Sequence, residues 1–579
     1  MLHPILDTSD LNVFLVVTSL YALFIGFLSL KFKQRWYLGE ALPALAIGAT
    51  FGPSAANLLS VPQPRGSESE STTTEITYAL TRLVIGIQLV KAGYELPKKY
   101  LKRRLKELTI CLLPLMAIGW ISSSACIKLM VPRISFLSAL VIGSCVTCTD
   151  PILSQAIAKG PFADNYVRRH LREFISSEAG GNDGFGFPFL LLGLSLLRYA
   201  DTPANAVVLE EFDLARGGPD PLGAIDVGRF GGGVGKALKH WFVEGFLYMI
   251  VLGAAYGVAV GFFCRKAINL SSRRRWIDPG SFTLVPAALG VFIVGSCGCF
   301  GSDETLACFI AGNMLNWDGL YNAELQARHD SFNSSLETVL NYITFGYLGV
   351  VMPWEEFHMP DATGITIPRL FGLGLMILVF RRIPAAMAGY RFMPEVCSNW
   401  REALFLGHFG PIGVGAIAYV EYARRLFPDR GDSDREINNL TAAMRPVVYW
   451  LVLFSVIVHG LSVPILYMFY KTMKVRKVHD LPVEVILLSE NEPLPNNSTV
   501  DRQRHSVLVN NRFFEPTHLD VLNEDPNEEK EKESADVRES CERIRPRSER
   551  SSMSYSLATS VSGESSRRTS REAGATNIV

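Results

Sequence analysis

Apolar residues in this chain come in long runs separated by short polar stretches. They show neither the strict alternation of a half-buried strand nor the one-sided stripe of a soluble helix. A helix needs about 20 residues to cross a bilayer. Runs of that order lie near 11–31, 38–58, 76–96, 108–130, 135–158, 170–198, 241–265, 281–300, 303–316, 334–353, 366–392, 401–424 and 446–470. They predict an all-α polytopic membrane protein of about thirteen transmembrane helices over 11–471. Three places are less regular. These are 38–58, 366–392, and 281–316, which reads as one long helix, two short ones or a broken pair. Residues 1–10 carry no basic cluster and no small-residue cleavage pattern follows, so the first helix is expected to be retained.

Composition sharpens this picture. The chain has 579 residues, 48% hydrophobic and 19% charged, with a mean hydropathy of +0.20. The 109 residues from Lys471 onward hold 17 Lys/Arg and 19 Asp/Glu, leaving 76 charged residues in the first 470. A greasy body with a polar end excludes a soluble enzyme of several ordinary domains. The segment 472–579, with strings such as Asn527-Glu-Glu-Lys-Glu-Lys-Glu533, is too polar to bury a core and is expected to be a largely disordered tail. Its serines and threonines beside Arg567, Arg568 and Arg571 are candidate sites for kinases or regulatory proteins. Lys plus Arg and Asp plus Glu both number 56, so no basic face points to nucleic acid. Most cysteines sit inside apolar runs, which argues against a disulfide framework; Cys297-Gly-Cys299 reads as packing rather than zinc.

Orientation follows from the short loops. Basic clusters follow the first run (Lys31, Lys33, Arg35), the third (Lys98 to Lys106), the fifth (Lys159, Arg168, Arg169), the seventh (Arg265, Lys266, Arg273 to Arg275) and the thirteenth (Lys471, Lys474, Arg476, Lys477). All are odd-numbered, so residues 1–10 are expected outside the cell and the tail in the cytoplasm. The loops 199–240 and 425–445 fit this rule less cleanly.

Ionisable residues inside such runs are costly and point to function. The fifth run holds Thr147-Cys-Thr149-Asp150-Pro151, where the proline should break or kink the helix. A break frees carbonyls and helix ends, from which transporters build ion sites; the plainer alternative is a kink with Asp150 facing the cytoplasm. The sixth run holds Glu178, Asn182 and Asp183 among Gly180, Gly181, Gly184 and Gly186. Five residues separate the two acids, so they should face different partners. The alternative here is a polar loop between two short helices. The eleventh run contains Arg381-Arg382-Ile-Pro384, and Glu178 is the natural partner for an arginine at that depth, unless 366–380 is the whole span. The twelfth run, Gly407-His408-Phe-Gly-Pro411-Ile-Gly413-Val-Gly415, should break as the fifth does. If runs one to six and eight to thirteen are two inverted repeats, the breaks correspond, which is the pattern of a secondary transporter's site. His408 reads equally as a satisfied interior histidine or a proton-relevant one. Asp303-Glu304 reads as a helix N-cap or as a cation-facing mouth, and Arg82 as packed or interfacial.

Several strings in order carry a resemblance: Gly93-Tyr-Glu-Leu-Pro-Lys-Lys-Tyr100, Cys148-Thr-Asp-Pro151, Glu178 to Gly184, Trp317-Asp-Gly319, Gly407 to Gly415 and Val458-His-Gly-Leu-Ser-Val-Pro464. Over about 11–475 the chain resembles the fungal plasma-membrane sodium/proton antiporters of the monovalent cation/proton antiporter family. The resemblance implies two inverted repeats with crossed broken helices, a core domain moving against a dimerisation domain, and a homodimer. It also implies that Asp183 binds the cation, that Thr149 and Asp150 line the crossing, and that Glu178 pairs with Arg382, or with Arg381 in its place. Asn182 before Asp183 implies electroneutral exchange. Ala179 stands where relatives often have serine after the glutamate, so one hydroxyl ligand is lacking and the order among Li⁺, Na⁺ and K⁺ stays open.

The expected mechanism is competition between Na⁺ and H⁺ at Asp183, with Thr149 and freed carbonyls replacing lost hydration. It needs no cofactor and no enzyme chemistry, and it would serve salt and pH homeostasis in the bilayer of the plasma membrane. A cation channel and a membrane scaffold or signalling protein acting through its tail are the alternative classes.

Overall fold

Prolines, glycines and capping acids decide where the apolar runs become helix and where they stop. The computed structural model describes residues 10–32, 36–59, 67–158, 161–200, 228–327, 332–428, 433–475, 483–486, 498–501 and 506–509. Residues 1–9, Lys33, Arg35, Lys159, Arg476, Lys477, the stretch 201–227 and most of 472–579, including the candidate phosphorylation sites, lie outside them.

Helix occupies each apolar run. The uninterrupted helices are Asp10–Leu30, Ala41–Phe51, Ser67–Tyr94, Leu105–Met130, Arg169–Arg198, Gly233–Arg273, Pro279–Phe300, Glu304–Leu315, Phe332–Val350 and Arg435–Thr472. Five stretches of the described residues, counting Ile367–Phe392 as one, are long and apolar enough to cross a membrane by length and composition. Several overshoot the apolar run because a polar cap starts them outside it. Asp434 accepts the amides of Glu436 and Ile437 at 2.8 and 3.0 Å, so the last helix begins eleven residues before 446. The 281–316 stretch is two helices: Gly301, at φ +70°, ends Pro279–Phe300, and Asp303 caps the next.

Three runs are split. The fifth becomes Phe136–Cys145 and Pro151–Ala158; the twelfth becomes Trp400–His408 and Val414–Arg424; the eleventh becomes Ile367–Phe380 and Ile383–Gly389. The eleventh-run helix does end at Phe380, yet Arg381 is 4% exposed, so its guanidinium lies in the protein interior.

The Ser67–Tyr94 helix packs against Glu304–Leu315, Pro279–Phe300 and Val414–Arg424, and Ala41–Phe51 packs against Phe332–Val350. Gly257 and Gly261 let the Gly233–Arg273 helix approach Glu304–Leu315 backbone to backbone. A Cβ added there would lie 2.5 and 2.6 Å from the carbonyl oxygens of Ala307 and Ala311. Phe27, Leu129, Phe263, Phe371 and Ile465 stay exposed on the outward helix faces, as a lipid-facing surface requires.

The reading of the tail gave it no regular element. Three short strands, Val483–Ile486, Ser498–Asp501 and Ser506–Val509, form an antiparallel sheet with the last between the other two. Alternation at Val483-Glu-Val485 and the apolar Val507-Leu-Val509 are the local signals, set within a segment whose charge dominates its average.

Candidate functional site

Two broken helices cross, and their loose ends meet. Residues 146–150 and 409–413 are non-helical, and the Asp150 amide donates to the Pro411 carbonyl at 2.9 Å, tying one break to the other. Breaking a helix in a low-dielectric interior leaves unpaired amides at each new N-terminus and unpaired carbonyls at each new C-terminus. Asp150 serves both N-termini. Its Oδ1 accepts from the amides of Ile152 and Leu153 at 2.8 and 3.0 Å, and its Oδ2 accepts from Val414 at 2.5 Å. Pro151, at the first helical position, has no amide to satisfy there. Arg381 serves both C-termini. Its Nη1 donates to the carbonyls of Val146 and Cys148 at 2.6 and 3.1 Å, and its Nη2 donates to the Gly410 carbonyl. The second break is braced from behind. Ser455 Oγ accepts from the Ile412 amide at 2.7 Å, and His459 Nε2 lies 3.0 Å from the His408 carbonyl oxygen.

The Arg169–Arg198 helix runs past this crossing and presents Glu178, Asn182 and Asp183, all 5% exposed or less. Glu178 takes a bidentate pair from Arg382, at 2.9 and 2.8 Å. Thus Arg382 is the partner of Glu178, and Arg381 has the separate task above. Asn182 links this pair to the crossing: its Nδ2 donates to Glu178 Oε1 at 3.0 Å and to Thr149 Oγ1 at 2.6 Å, and its Oδ1 accepts the Thr149 amide at 3.0 Å.

Asp183 differs from its neighbours. Neither of its carboxylate oxygens accepts from an N–H or O–H group among the described residues, the Cys148 thiol being its polar neighbour. The Tyr419 hydroxyl donates to the backbone carbonyl of Asp183, not to the carboxylate. Gly415 brings bare backbone against it; a Cβ there would lie 2.7 Å from Oδ1. Glu178 and Asp183 do face different partners, the first toward Arg382 and the second toward a cavity lined by Tyr78, Arg82, Glu304, Thr305, Gly415 and Tyr419 among others.

The remaining candidates fall around this centre. Asp303 is a helix cap, with Oδ1 accepting from Thr305 and Leu306 amides at 2.9 and 3.0 Å. Glu304, next to it, pairs with Arg82 at 2.5 Å on the cavity wall. His408 lies 3.3 Å from Ser462 Oγ, on the far side of the second break. Among the described residues no group of three or more His, Cys, Asp or Glu is arranged to hold a metal. Sequence reasoning missed the carbonyl role of Arg381, the Ser455 and His459 brace, and Tyr419. Tyr419 stands one helical turn after Gly415, which is the signal that could have found it.

The chain is similar to several named antiporters. A probable Na(+)/H(+) antiporter of Schizosaccharomyces pombe is 36% identical over 75% of this chain and 53% of its own length. Na(+)/H(+) antiporter 2 of Zygosaccharomyces rouxii is 31% identical over 79% of this chain and 52% of its own. The chain thus spans about half the length of these relatives. The sodium proton antiporter MjNhaP1 from Methanocaldococcus jannaschii, solved at pH 8, matches with a TM-score of 0.50 at 15% identity, covering 78% of this chain and 98% of that one, a likeness of fold. The model of the transmembrane sodium/hydrogen exchanger family matches residues 19–469, and the chain belongs to that family.

Proposed function

We propose that the chain exchanges Na⁺ for H⁺ across the membrane by competition at Asp183, one cation for one proton, with alternating access. The observation that carries this is a contrast among three buried carboxylates. Glu178 is neutralised by a bidentate arginine and Asp150 is consumed by helix-end amides, while Asp183 has neither. A buried carboxylate without a partner is stable only when a proton or a cation neutralises it. Either species therefore discharges the site, and both cannot occupy it. A neutral loaded site crosses the barrier more readily than a charged empty one, which couples the two fluxes. Thr149 is the side-chain oxygen that the broken fifth helix offers a dehydrated cation, since the carbonyls of Val146 and Cys148 there already accept from Arg381.

Li⁺ and K⁺ are further candidate cargoes, and Ala179 leaves one hydroxyl fewer to rank them. The cycle needs no resident cofactor. The basic loops support a tail in the cytoplasm, open to regulatory partners, and the plasma membrane and a homodimer enter the reading through the family resemblance alone. Purified protein in sealed vesicles with an imposed pH gradient tests the reading. Addition of Na⁺ should dissipate the gradient saturably at either of two clamped voltages, and Asp183→Asn should abolish this while eluting as folded protein. Dissipation that does not saturate would favour a channel, and exchange by the Asp183→Asn variant would overturn the mechanism.

A further inference from the structure

Asp183 shares its cavity with an ion pair that belongs to neither broken helix. Arg82, on Ser67–Tyr94, donates Nε to Glu304 Oε1 at 2.5 Å, and its guanidinium lies 5.0 Å from the Tyr78 ring centroid. Glu304 is the first residue of Glu304–Leu315 and is 5% exposed. The two elements press closely on the site. A Cβ on Gly184, next to Asp183, would lie 2.9 Å from the Leu306 amide nitrogen, in the first turn of the Glu304 helix. Among the described residues Arg82 is the one cationic side chain lining this cavity, against the carboxylates of Asp183 and Glu304. Asp303 stands beside them, with one oxygen spent on its own helix amides and the other without a partner.

We infer that Arg82 is a positioning residue for the cation site: by holding Glu304 in an ion pair, it keeps a second carboxylate off the ion at Asp183 and so sets how tightly the site grips its cargo. This rests on the Asp183 reading above. With Glu304 engaged, a monovalent cation at Asp183 makes a neutral site that releases it. With Glu304 free, the same cation faces two carboxylates in a water-poor cavity, and attraction there falls off slowly with distance. The site would then fill at lower concentration and empty more slowly. If Glu304 were lost and Arg82 kept, an unpaired guanidinium would repel the arriving ion.

The test uses full-length protein in vesicles, with proton efflux followed against Na⁺ and Li⁺ concentration at one pH. Arg82→Gln should lower the apparent KM for Na⁺ about tenfold and lower kcat with it; Glu304→Gln should raise KM by a similar factor. Arg82→Gln/Glu304→Gln should return KM to within about twofold of the parent, and Arg82→Lys should stay close to it, since the pair's net charge is zero in both. A merely structural pair would instead reduce the yield of folded protein and kcat at unchanged KM. That outcome, or a double variant whose KM stays as far from the parent's as that of either single variant, overturns the inference. Should Arg82→Gln fail to fold, Glu304→Gln and the double variant still decide it, because an unchanged KM in Glu304→Gln contradicts the charge argument. Asp183→Asn runs alongside. Exchange surviving in that variant overturns the underlying reading, whereas its loss together with an unmoved KM in the pair variants overturns this inference alone.

Discussion

Asp150 and Arg381 occupy opposite poles of one crossing: Asp150 accepts the amides that open both second half-helices, and Arg381 donates to the carbonyls that close both first halves. Each neutralises two helix ends of like sign, and each is buried, at 2% and 4% exposure. The two charges thereby balance across the crossing without touching. Burial of an ion is tolerable only when its hydrogen-bonding capacity is filled, and here backbone groups fill it.

Asp150→Asn should therefore be costly although it is nearly isosteric. An amide nitrogen would face either the Val414 amide or those of Ile152 and Leu153, placing donor against donor. The expected loss is about 2–3 kcal/mol of stability, read as a lower thermal unfolding temperature in detergent, with exchange reduced at least about tenfold as the crossing loosens. Arg381→Lys should behave alike, since one ammonium cannot span the Val146 and Gly410 carbonyls. Parent-like unfolding and exchange in both variants would show that the poles are dispensable.

Glu178 and Arg382 form the part-buried bidentate pair that holds the Arg169–Arg198 helix to the break after Phe380. Removing one partner strands the other charge, so Glu178→Ala and Arg382→Ala should each cost about 3–5 kcal/mol. Glu178→Ala/Arg382→Ala should cost much less than their sum. A thermodynamic cycle on the four proteins measures this; additivity would mean that the pair contributes no coupling. Because this pair does not exchange protons in the proposed cycle, the number of protons moved per Na⁺ should be unchanged in whichever variants fold.

How much of this was legible in the chain depends on what a residue's partner is. Apolar length gave the helices, and Asp150-Pro151 and the Gly407–Gly415 string gave the two breaks, because chain chemistry alone forces them. The Glu178 pair was narrowed to two adjacent arginines, and a single residue of register separates a carboxylate partner from a set of carbonyls. Ser455 and His459 act on backbone atoms of another segment, contacts that leave no mark in local pattern, and the one-turn spacing of Tyr419 from Gly415 marks its face but not its partner. The contrast between Asp183 and its satisfied neighbours is likewise a three-dimensional fact, as is the pairing of Arg82 with a residue 222 positions away. The strands at 483–509 were lost because a charged average masks short alternations.

Gly415 offers a steric test of the same site. A methyl group there would sit 2.7 Å from Asp183 Oδ1, closer than packing allows. Gly415→Ala should thus displace the carboxylate or the break behind it, costing about 1–3 kcal/mol and most of the exchange activity. Gly460→Ala is the control, since its Cβ would meet Leu42 at an ordinary 3.5 Å and should leave both unfolding and exchange within error. Equal behaviour of the two variants would remove Gly415 from the site.

Acid stability should depend on a cluster far from the crossing. Arg229 donates to Asp434, to Glu436 at 2.5 Å and to the Leu197 carbonyl at 3.2 Å, joining the end of Arg169–Arg198 to the start of Arg435–Thr472. Burial alone would push the Asp434 carboxyl up, but hydrogen bonds from Arg229 and from the amides of Ile437 and Glu436 outweigh it and hold it below the ordinary value. A carboxyl depressed on folding adds stability that is fully present above its unfolded pKa, about 3.9, and is lost as pH falls through the lower folded value. The unfolding temperature should therefore drop below about pH 4, and Asp434→Asn should lower it at neutral pH while flattening that acid limb. Arg229→Gln, which removes the donor, should shift the acid limb the same way, because Asp434 then titrates nearer its ordinary value. A parallel offset at every pH in both variants would mean that the cluster contributes packing and capping but no linked proton, and the charge argument for this end of the bundle would fall.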